Sequence, residues 1–261
     1  MTETWAIVVL GAVAAGFVQG LSGFGFGMVA MSFWAWVLEP RLAATLAVFG
    51  ALTGQMVAAF SVRRTVALQN LLPFILGGLA GIPLGIALLP QLDMDWFRLL
   101  LGLLLIIWCP AMLWAGTGQG TKRALARRSS GWHMIGTRIA DGSVGMAGGA
   151  MGALGGFTGV LPTLWCTLRG YERDVQRTVI QNFNLAMLLV TAGTYLASGI
   201  VTRPMWPWLA LVVPAMLIPS FIGTRVYWGI SEQRFRQIVL GLLTFSGCIL
   251  LTAALPRVLA D

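Results

Sequence analysis

The sequence predicts an all-α polytopic membrane protein, because it is strongly apolar, carries few charges and contains several long apolar runs. Of its 261 residues, 57% are hydrophobic and only 10% are charged, whereas soluble domains carry about 25% charged residues. A helix that crosses a bilayer needs roughly 20 consecutive apolar residues. The alternating pattern of a membrane β-barrel is missing from the sequence, so the spans are expected to be helices.

Six runs are long enough to cross a bilayer as ordinary helices, and none of them contains an acidic residue. They are 43–60, 70–89, 96–114, 178–199, 206–228 and 235–255. The net charge of +8 does not indicate nucleic-acid binding, because the basic residues are scattered in short loops between the runs, as membrane topology requires. The single histidine and three separate cysteines predict no metal site and no cofactor.

The chain repeats itself at an offset of 133 residues. The matches are Phe24 with Phe157, Glu39 with Glu172, and Thr45 with Thr178. Each half contains one glycine-rich segment followed by three of the apolar runs. We therefore expect an N-terminal transmembrane repeat over residues 1–114, a basic cytoplasmic linker over 115–138, and a C-terminal repeat over 139–261.

The glycine-rich segments are expected to be broken helices. The first, residues 5–37, would be about 50 Å long as one straight helix, which exceeds a hydrocarbon core of about 30 Å. If each segment is a re-entrant pair of half-helices, 13 basic residues face the cytoplasm and four face outside. If each crosses once instead, the split is nine to eight. The positive-inside rule favours the first arrangement, which makes the two halves inverted repeats with three transmembrane helices each.

Broken helices at membrane depth suit an anion site, because half-helix N-termini offer unsatisfied N–H groups and a positive dipole end. Glycine lets an oxyanion approach such N–H groups closely. Close helix packing is the alternative for the glycines, and a hydrogen-bonded helix seam is the alternative for the polar residues that follow. Gln55 is a further polar candidate, for which packing is the simpler interpretation. The candidate substrate-binding residues are Gln19, Ser22, Gly23, Phe24, Gly25, Gly27, Thr45, Gly155, Gly156, Phe157, Thr158, Gly159, Arg177, Thr178, Gln181, Asn182 and Asn184.

Over nearly its whole length the chain resembles the sulfite exporter TauE/SafE family of membrane permeases. The similar motifs are glycine-rich stretches at 23–27 and 155–159, each followed about twenty residues later by a short turn, Ala43-Ala44-Thr45 and Arg177-Thr178. The resemblance implies transport of small sulfur-containing anions, such as sulfite, sulfoacetate, other sulfonates or thiosulfate. It also makes a homodimer plausible, together with the small-residue helix faces.

Export through the inner membrane is the expected direction, and no enzymatic activity is expected. Each acidic residue falls near an expected segment end, so a proton relay through carboxylates lacks parts. An anion that leaves a negative interior gains about 2.3 kcal/mol per charge per 100 mV. Two alternatives stay open. One is proton- or sodium-coupled uptake of an organic sulfonate or carboxylate, and the other is a membrane sulfur-transfer protein that uses Cys166.

Overall fold

The protein is built from helices that follow the same order in its two halves. The computed structural model describes residues 2–23, 25–61, 68–117, 133–225 and 232–259. Within these ranges it has ten α-helices and two short 3₁₀ turns, and no strand. The helices are α1 Thr2–Ser22, α2 Phe26–Trp34, α3 Pro40–Ser61, α4 Leu68–Leu88, α5 Met94–Thr117, α6 His133–Gly155, α7 Val160–Leu168, α8 Arg173–Ala197, α9 Trp206–Arg225 and α10 Glu232–Val258.

Seven of these helices are long and apolar enough to cross a membrane. Six of them, α3, α4, α5, α8, α9 and α10, cover all or most of the predicted apolar runs. The prediction of a multi-pass helical membrane protein is therefore confirmed. Four of the basic residues that were predicted to lie in the linker fall outside the described residues, namely Lys122, Arg123, Arg127 and Arg128.

The seventh candidate span is α1, which corrects one expectation about the glycine-rich segments. These segments were expected to be pairs of half-helices. Instead α1 has 21 residues and α6 has 23, so each is more than 30 Å long at about 1.5 Å per residue. Only the second member of each pair is short, since α2 and α7 have nine residues each. The break is present in both halves, but its two arms are unequal.

Each short helix folds back along the long helix before it. At the end of α2, Trp34 donates a hydrogen bond from Nε1 to the carbonyl of Val8, near the start of α1, at 3.1 Å. In the second half, Trp165 of α7 donates from Nε1 to Oδ1 of Asp141, in the first half of α6, at 2.7 Å. Both pairs, α1 with α2 and α6 with α7, are therefore helical hairpins whose tips are the glycine breaks.

Each hairpin packs against the other half of the chain. Helix α1 lies along α9, and α6 lies along α4. Glycines make both crossings close. A Cβ added to Gly16 would stand 2.6 Å from the carbonyl oxygen of Met216. On the other crossing, a Cβ at Gly81 would collide with the carbonyl of Met146. This reciprocal packing is the pattern that two related repeats produce, and the inverted relation between them stays a prediction.

Helices α3 and α8 form the centre of the bundle. In each of them 56% of the apolar stretch is buried, against 28–44% in the other candidate spans. Tyr195 of α8 is fully buried, and its hydroxyl donates a hydrogen bond to the carbonyl of Ala153 in α6. The central position of α3 and α8 brings their side chains against both glycine breaks.

One carboxylate lies inside the bundle, against the expectation that every acidic residue lies near a segment end. Asp141 is 5% exposed and stands eight residues into α6. Its two carboxylate oxygens accept hydrogen bonds from Nη1 of Arg169, at 2.7 and 2.9 Å. The expectation failed because α6 begins at His133, earlier than the sequence pattern indicated. The pair fastens the C-terminal end of α7 to α6.

Candidate functional site

The two helix breaks line one shared cavity. The first break contributes residues 25–27 to its wall and the second contributes 156–159, and α1, α3 and α8 supply further side chains. The room open to the centre of a water-sized molecule is about 20 Å³. A single water needs about 10–15 Å³ by this measure, so the cavity has room for about one water molecule.

The first break depends on two glycines with left-handed backbone. Gly23 has φ 75° and Gly25 has φ 97°, a region that costs other residues about 1–2 kcal/mol. The N–H of Gly23 still bonds the carbonyl of Gln19 at 2.7 Å. Its own carbonyl accepts a hydrogen bond from Nε2 of Gln55 at 2.8 Å. The chain therefore turns sharply between α1 and α2, with the C-terminal end of α1 tied to α3. Phe24, a predicted site residue, lies outside the described residues.

The second break also contains a glycine with left-handed backbone, and it touches the first break. Gly156 has φ 72°, and its N–H bonds the carbonyl of Gly152 at 2.8 Å. Gly27, in the first turn of α2, packs against the backbone of Gly155 and Gly156. A Cβ at Gly27 would stand 3.2 Å from the carbonyl oxygen of Gly156 and closer still to that of Gly155. Any side chain there would push the two breaks apart.

Both short helices begin at the cavity. Gly25 is the N-cap of α2 and Gly159 is the N-cap of α7, and neither cap makes a side-chain hydrogen bond. The first-turn N–H groups of a helix have no carbonyl partner within it, and they carry a partial positive charge. In α7 the N–H of Val160 bonds the carbonyl of Phe157 in the break at 3.2 Å, and Pro162 has no N–H. No Lys, Arg, His, Asp or Glu is among the described residues that line the cavity. The electrostatics of the site therefore come from backbone N–H groups and neutral side chains.

Four buried polar side chains complete the wall, namely those of Gln19, Gln55, Thr158 and Asn184. Gln19 is 4% exposed, while Thr158 and Asn184 are each 2% exposed. Nε2 of Gln19 donates to the carbonyl of Ala51 at 2.9 Å. Oε1 of Gln19 and Oδ1 of Asn184 are buried and have no hydrogen-bond partner among the described residues. Buried polar atoms are normally bonded, so these two oxygens indicate a place for a ligand or a water.

The walls of the cavity follow the sequence repeat. At the offset of 133, Ala51 corresponds to Asn184, Gln55 to Leu188, and Gly25 to Thr158, and all six residues line the cavity. In each pair one member is polar while the other is apolar or glycine. The two halves thus contribute equivalent positions with different chemistry, which makes the cavity asymmetric.

About half of the predicted site residues lie in the cavity wall. Those that line it are Gln19, Gly25, Gly27, Gly156, Phe157, Thr158, Gly159 and Asn184. Those described elsewhere are Ser22, Gly23, Thr45, Gly155, Arg177, Thr178, Gln181 and Asn182. The hydroxyl of Ser22 bonds the carbonyl of Val18, and that of Thr45 bonds the carbonyl of Arg41. Both are the local helix bonds that serine and threonine commonly make.

Two further predicted residues lie close behind the wall. A Cβ at Gly23 would stand 3.1 Å from Nε2 of Gln181, so this carboxamide packs on the first break. Nδ2 of Asn182 is buried without a hydrogen-bond partner, although the residue does not line the cavity. Arg177 is exposed on the first turns of α8. The polar stretch at the start of α8 therefore divides between the cavity, its support and the surface.

Sequence reasoning passed over some cavity residues. Gln55 is 2% exposed and lines the cavity, although packing was its simpler interpretation. The sequence signal for Gln55 was that it is a polar side chain within an otherwise apolar run. Leu188 and Ala51 carry no chemical signal, and only the repeat offset from Gln55 and Asn184 points to them.

Comparison with known families gives one match. The chain matches the model of the family described as Sulfite exporter TauE/SafE over residues 8–250, nearly its whole length. Neither a comparison with curated proteins nor one with solved structures found a match. The matched range contains both glycine breaks and nearly all of both hairpins. The chain therefore belongs to the sulfite exporter TauE/SafE family, a family of membrane transporters.

Proposed function

We propose that this protein exports small sulfur-containing anions, such as sulfite, sulfoacetate or related organosulfonates, across the inner membrane. The anion is held between the two glycine breaks. The observation that carries the proposal is that the first turns of α2 and α7 line one cavity without any charged side chain in its described wall. Helix N-termini bind anions through backbone N–H groups and the helix dipole.

The direction follows from charge. The described wall of the cavity holds no carboxylate, and the buried carboxylate of Asp141 is engaged by Arg169. Among the described residues, the cavity therefore has no carboxylate that could carry a proton with the anion. Export of an anion from a negative interior is favourable by about 2.3 kcal/mol per charge per 100 mV, so it requires no coupling ion. The protein therefore works as a potential-driven uniporter.

Movement of the anion requires the cavity to open, because its present room suits one water. The short helices are tied at their far ends, α2 through Trp34 and α7 through Arg169. At its other end, the first turn of α2 meets the second break at glycine backbone, where Gly27 packs against Gly155 and Gly156. Separation of the breaks to one side or the other, with the tied far ends of the short helices as pivots, gives alternating access to a site between the repeats.

Flux measurements in proteoliposomes test this function. Labelled sulfite and a panel of small sulfonates are loaded, and an imposed potential is compared with proton and sodium gradients. We expect flux out of the negative compartment that requires neither gradient. Flux that needs an inward proton or sodium gradient would instead support coupled uptake of the anion.

Two variants test the place of binding. Asn184→Leu removes the polar group of a buried cavity residue at similar volume, and should raise the KM for the transported anion about tenfold or more. Thr194→Val, on the same helix but outside the cavity wall, is the matched control and should leave flux unchanged. A folded Asn184→Leu protein with unaltered KM would remove Asn184 from the binding site.

A role as a sulfur-transfer protein gains no support from the cavity. Cys166 is fully buried in α7 and does not line the cavity. The described residues also contain no cluster of His, Cys, Asp and Glu suited to a metal ion. We therefore assign transport to this chain.

A further inference from the structure

We propose, on the basis of the function proposed above, that the cavity selects singly charged anions over doubly charged ones. Hydrogen sulfite, rather than the sulfite dianion, is then the form of sulfite that the protein transports. Sulfite gains its second charge near neutral pH, so both forms are present in a cell, and membership in the family does not distinguish them.

The positive charge available in the cavity matches one negative charge. Each helix N-terminus is equivalent to about half an elementary charge, and α2 and α7 both begin at the cavity wall. Together they supply about one positive charge. The described wall adds no cationic side chain. A dianion would therefore keep about one charge uncompensated in a place of low dielectric, where an unpaired charge is costly.

The two unpartnered oxygens provide a second and independent reason. Oε1 of Gln19 and Oδ1 of Asn184 belong to side chains that are 4% and 2% exposed, and both residues line the cavity. The bond from Nε2 of Gln19 to Ala51 fixes Oε1 as an acceptor. This acceptor oxygen of Gln19 repels a fully ionised oxyanion, but it accepts the proton that hydrogen sulfite still carries.

Much of the remaining wall is apolar and excludes the water that a second charge needs. Phe26, Phe157 and Leu188 line the cavity beside the polar groups. Such side chains tolerate a small alkyl substituent and offer no hydrogen bond to a further ionised oxygen. A simple sulfonate with one permanent charge is therefore accepted, although it lacks a proton for Gln19. Sulfoacetate, whose carboxylate adds a second charge at neutral pH, is expected to bind more weakly than such a monoanion. The expected order of affinity is hydrogen sulfite, then methanesulfonate, then sulfate.

Competition in proteoliposomes tests this order with the full-length protein. Flux of labelled sulfite is measured at neutral pH against methanesulfonate, which always carries one charge, and sulfate, which always carries two. Protein-free liposomes give the background. We expect methanesulfonate to compete at concentrations at least about tenfold lower than sulfate. Equal competition would overturn the charge selectivity and leave the proposed function intact, whereas no flux of any anion would count against the proposed function itself.

A charge added to the wall should change the ratio. Gln55→Lys places a cation beside the first break, and should reduce the preference for methanesulfonate over sulfate by about tenfold. Gln55→Met has a similar length without charge, and should keep the wild-type ratio whatever it does to the rate. A ratio that shifts equally in both variants would overturn the electrostatic explanation. If neither variant folds, the competition on wild-type protein decides the question alone.

The pH dependence of wild-type flux gives a third measurement. Above neutral pH the hydrogen sulfite fraction falls while methanesulfonate keeps its single charge. Protein-dependent sulfite flux at constant total sulfite should therefore fall in proportion to hydrogen sulfite, relative to methanesulfonate flux. Sulfite flux that rises with pH relative to methanesulfonate would show that the dianion is transported.

Discussion

Replacement of Arg169 by glutamine should destabilise the folded protein more than replacement of Asp141 by asparagine. The side chain of Asp141 is 7% exposed and that of Arg169 is 23% exposed. Arg169→Gln leaves a carboxylate buried without its cation, which costs about 3–5 kcal/mol. Asp141→Asn leaves a guanidinium nearer to water, above the ring of Tyr171 at 5.3 Å. It also keeps an acceptor for Nε1 of Trp165, so its cost is about 1–3 kcal/mol.

The double variant distinguishes an interaction from two independent losses. In Asp141→Asn combined with Arg169→Gln, no charge is left buried, and the two amides still have a hydrogen bond to share. Its cost should be smaller than the sum of the single costs by about 1–3 kcal/mol, as found for residues in contact.

Thermal unfolding in detergent at one scan rate measures these differences. For a chain of this size about 2–4 °C corresponds to 1 kcal/mol, so Arg169→Gln should lower the apparent Tm by about 6–20 °C. Arg257→Gln is the control, because its contact with Asp95 is 3.5 Å long and its side chain is 63% exposed. Such surface pairs contribute about 0–1 kcal/mol. Equal and additive effects of the Asp141 and Arg169 variants would refute the reasoning.

Two further predictions concern packing. Gly81→Ala should lower the apparent Tm by several degrees or prevent recovery of folded protein, since its Cβ would collide with the carbonyl of Met146. At Gly193 an added Cβ would have no described atom within 4 Å. Gly193→Ala should therefore leave the Tm unchanged or raise it slightly, because alanine favours helix by about 1 kcal/mol over glycine. A similar loss in both variants would contradict the close crossing of α4 and α6. Tyr195→Phe should cost about 1–2 kcal/mol, measured by the same unfolding assay, because it leaves the buried carbonyl of Ala153 without a donor. An unchanged Tm there would mean that water replaces the hydroxyl.

The glycine breaks were predictable from sequence because their chemistry is local. Gly23, Gly25 and Gly156 adopt positive φ, which few other residues do, and their density in an apolar run shows this directly. Glycine has other uses, however, and sequence does not separate them. Gly16 and Gly20 lie in the same stretch but serve the crossing with α9, since a small side chain is needed wherever two backbones approach.

The unequal arms of the hairpins and the cavity wall were less predictable because they depend on packing between the halves. The length of α1 is read correctly only when the break is known to lie at its end and not at its centre. The polar stretch at the start of α8 contributes Asn184 to the cavity but leaves Arg177 exposed. Which face of α8 meets the breaks is set by its contact with α3, which no local pattern encodes.

The reciprocal packing of the hairpins has a consequence for biogenesis. Helix α4 presents the glycine face that α6 will cover, and α1 has to find α9. During synthesis, the first half thus enters the bilayer before either of these partners has left the ribosome. Lipid must occupy both grooves until the second half arrives and displaces it. The bundle therefore closes only after α9 has been inserted, and a nascent chain arrested before that point would hold the elements of its first repeat without their final neighbours.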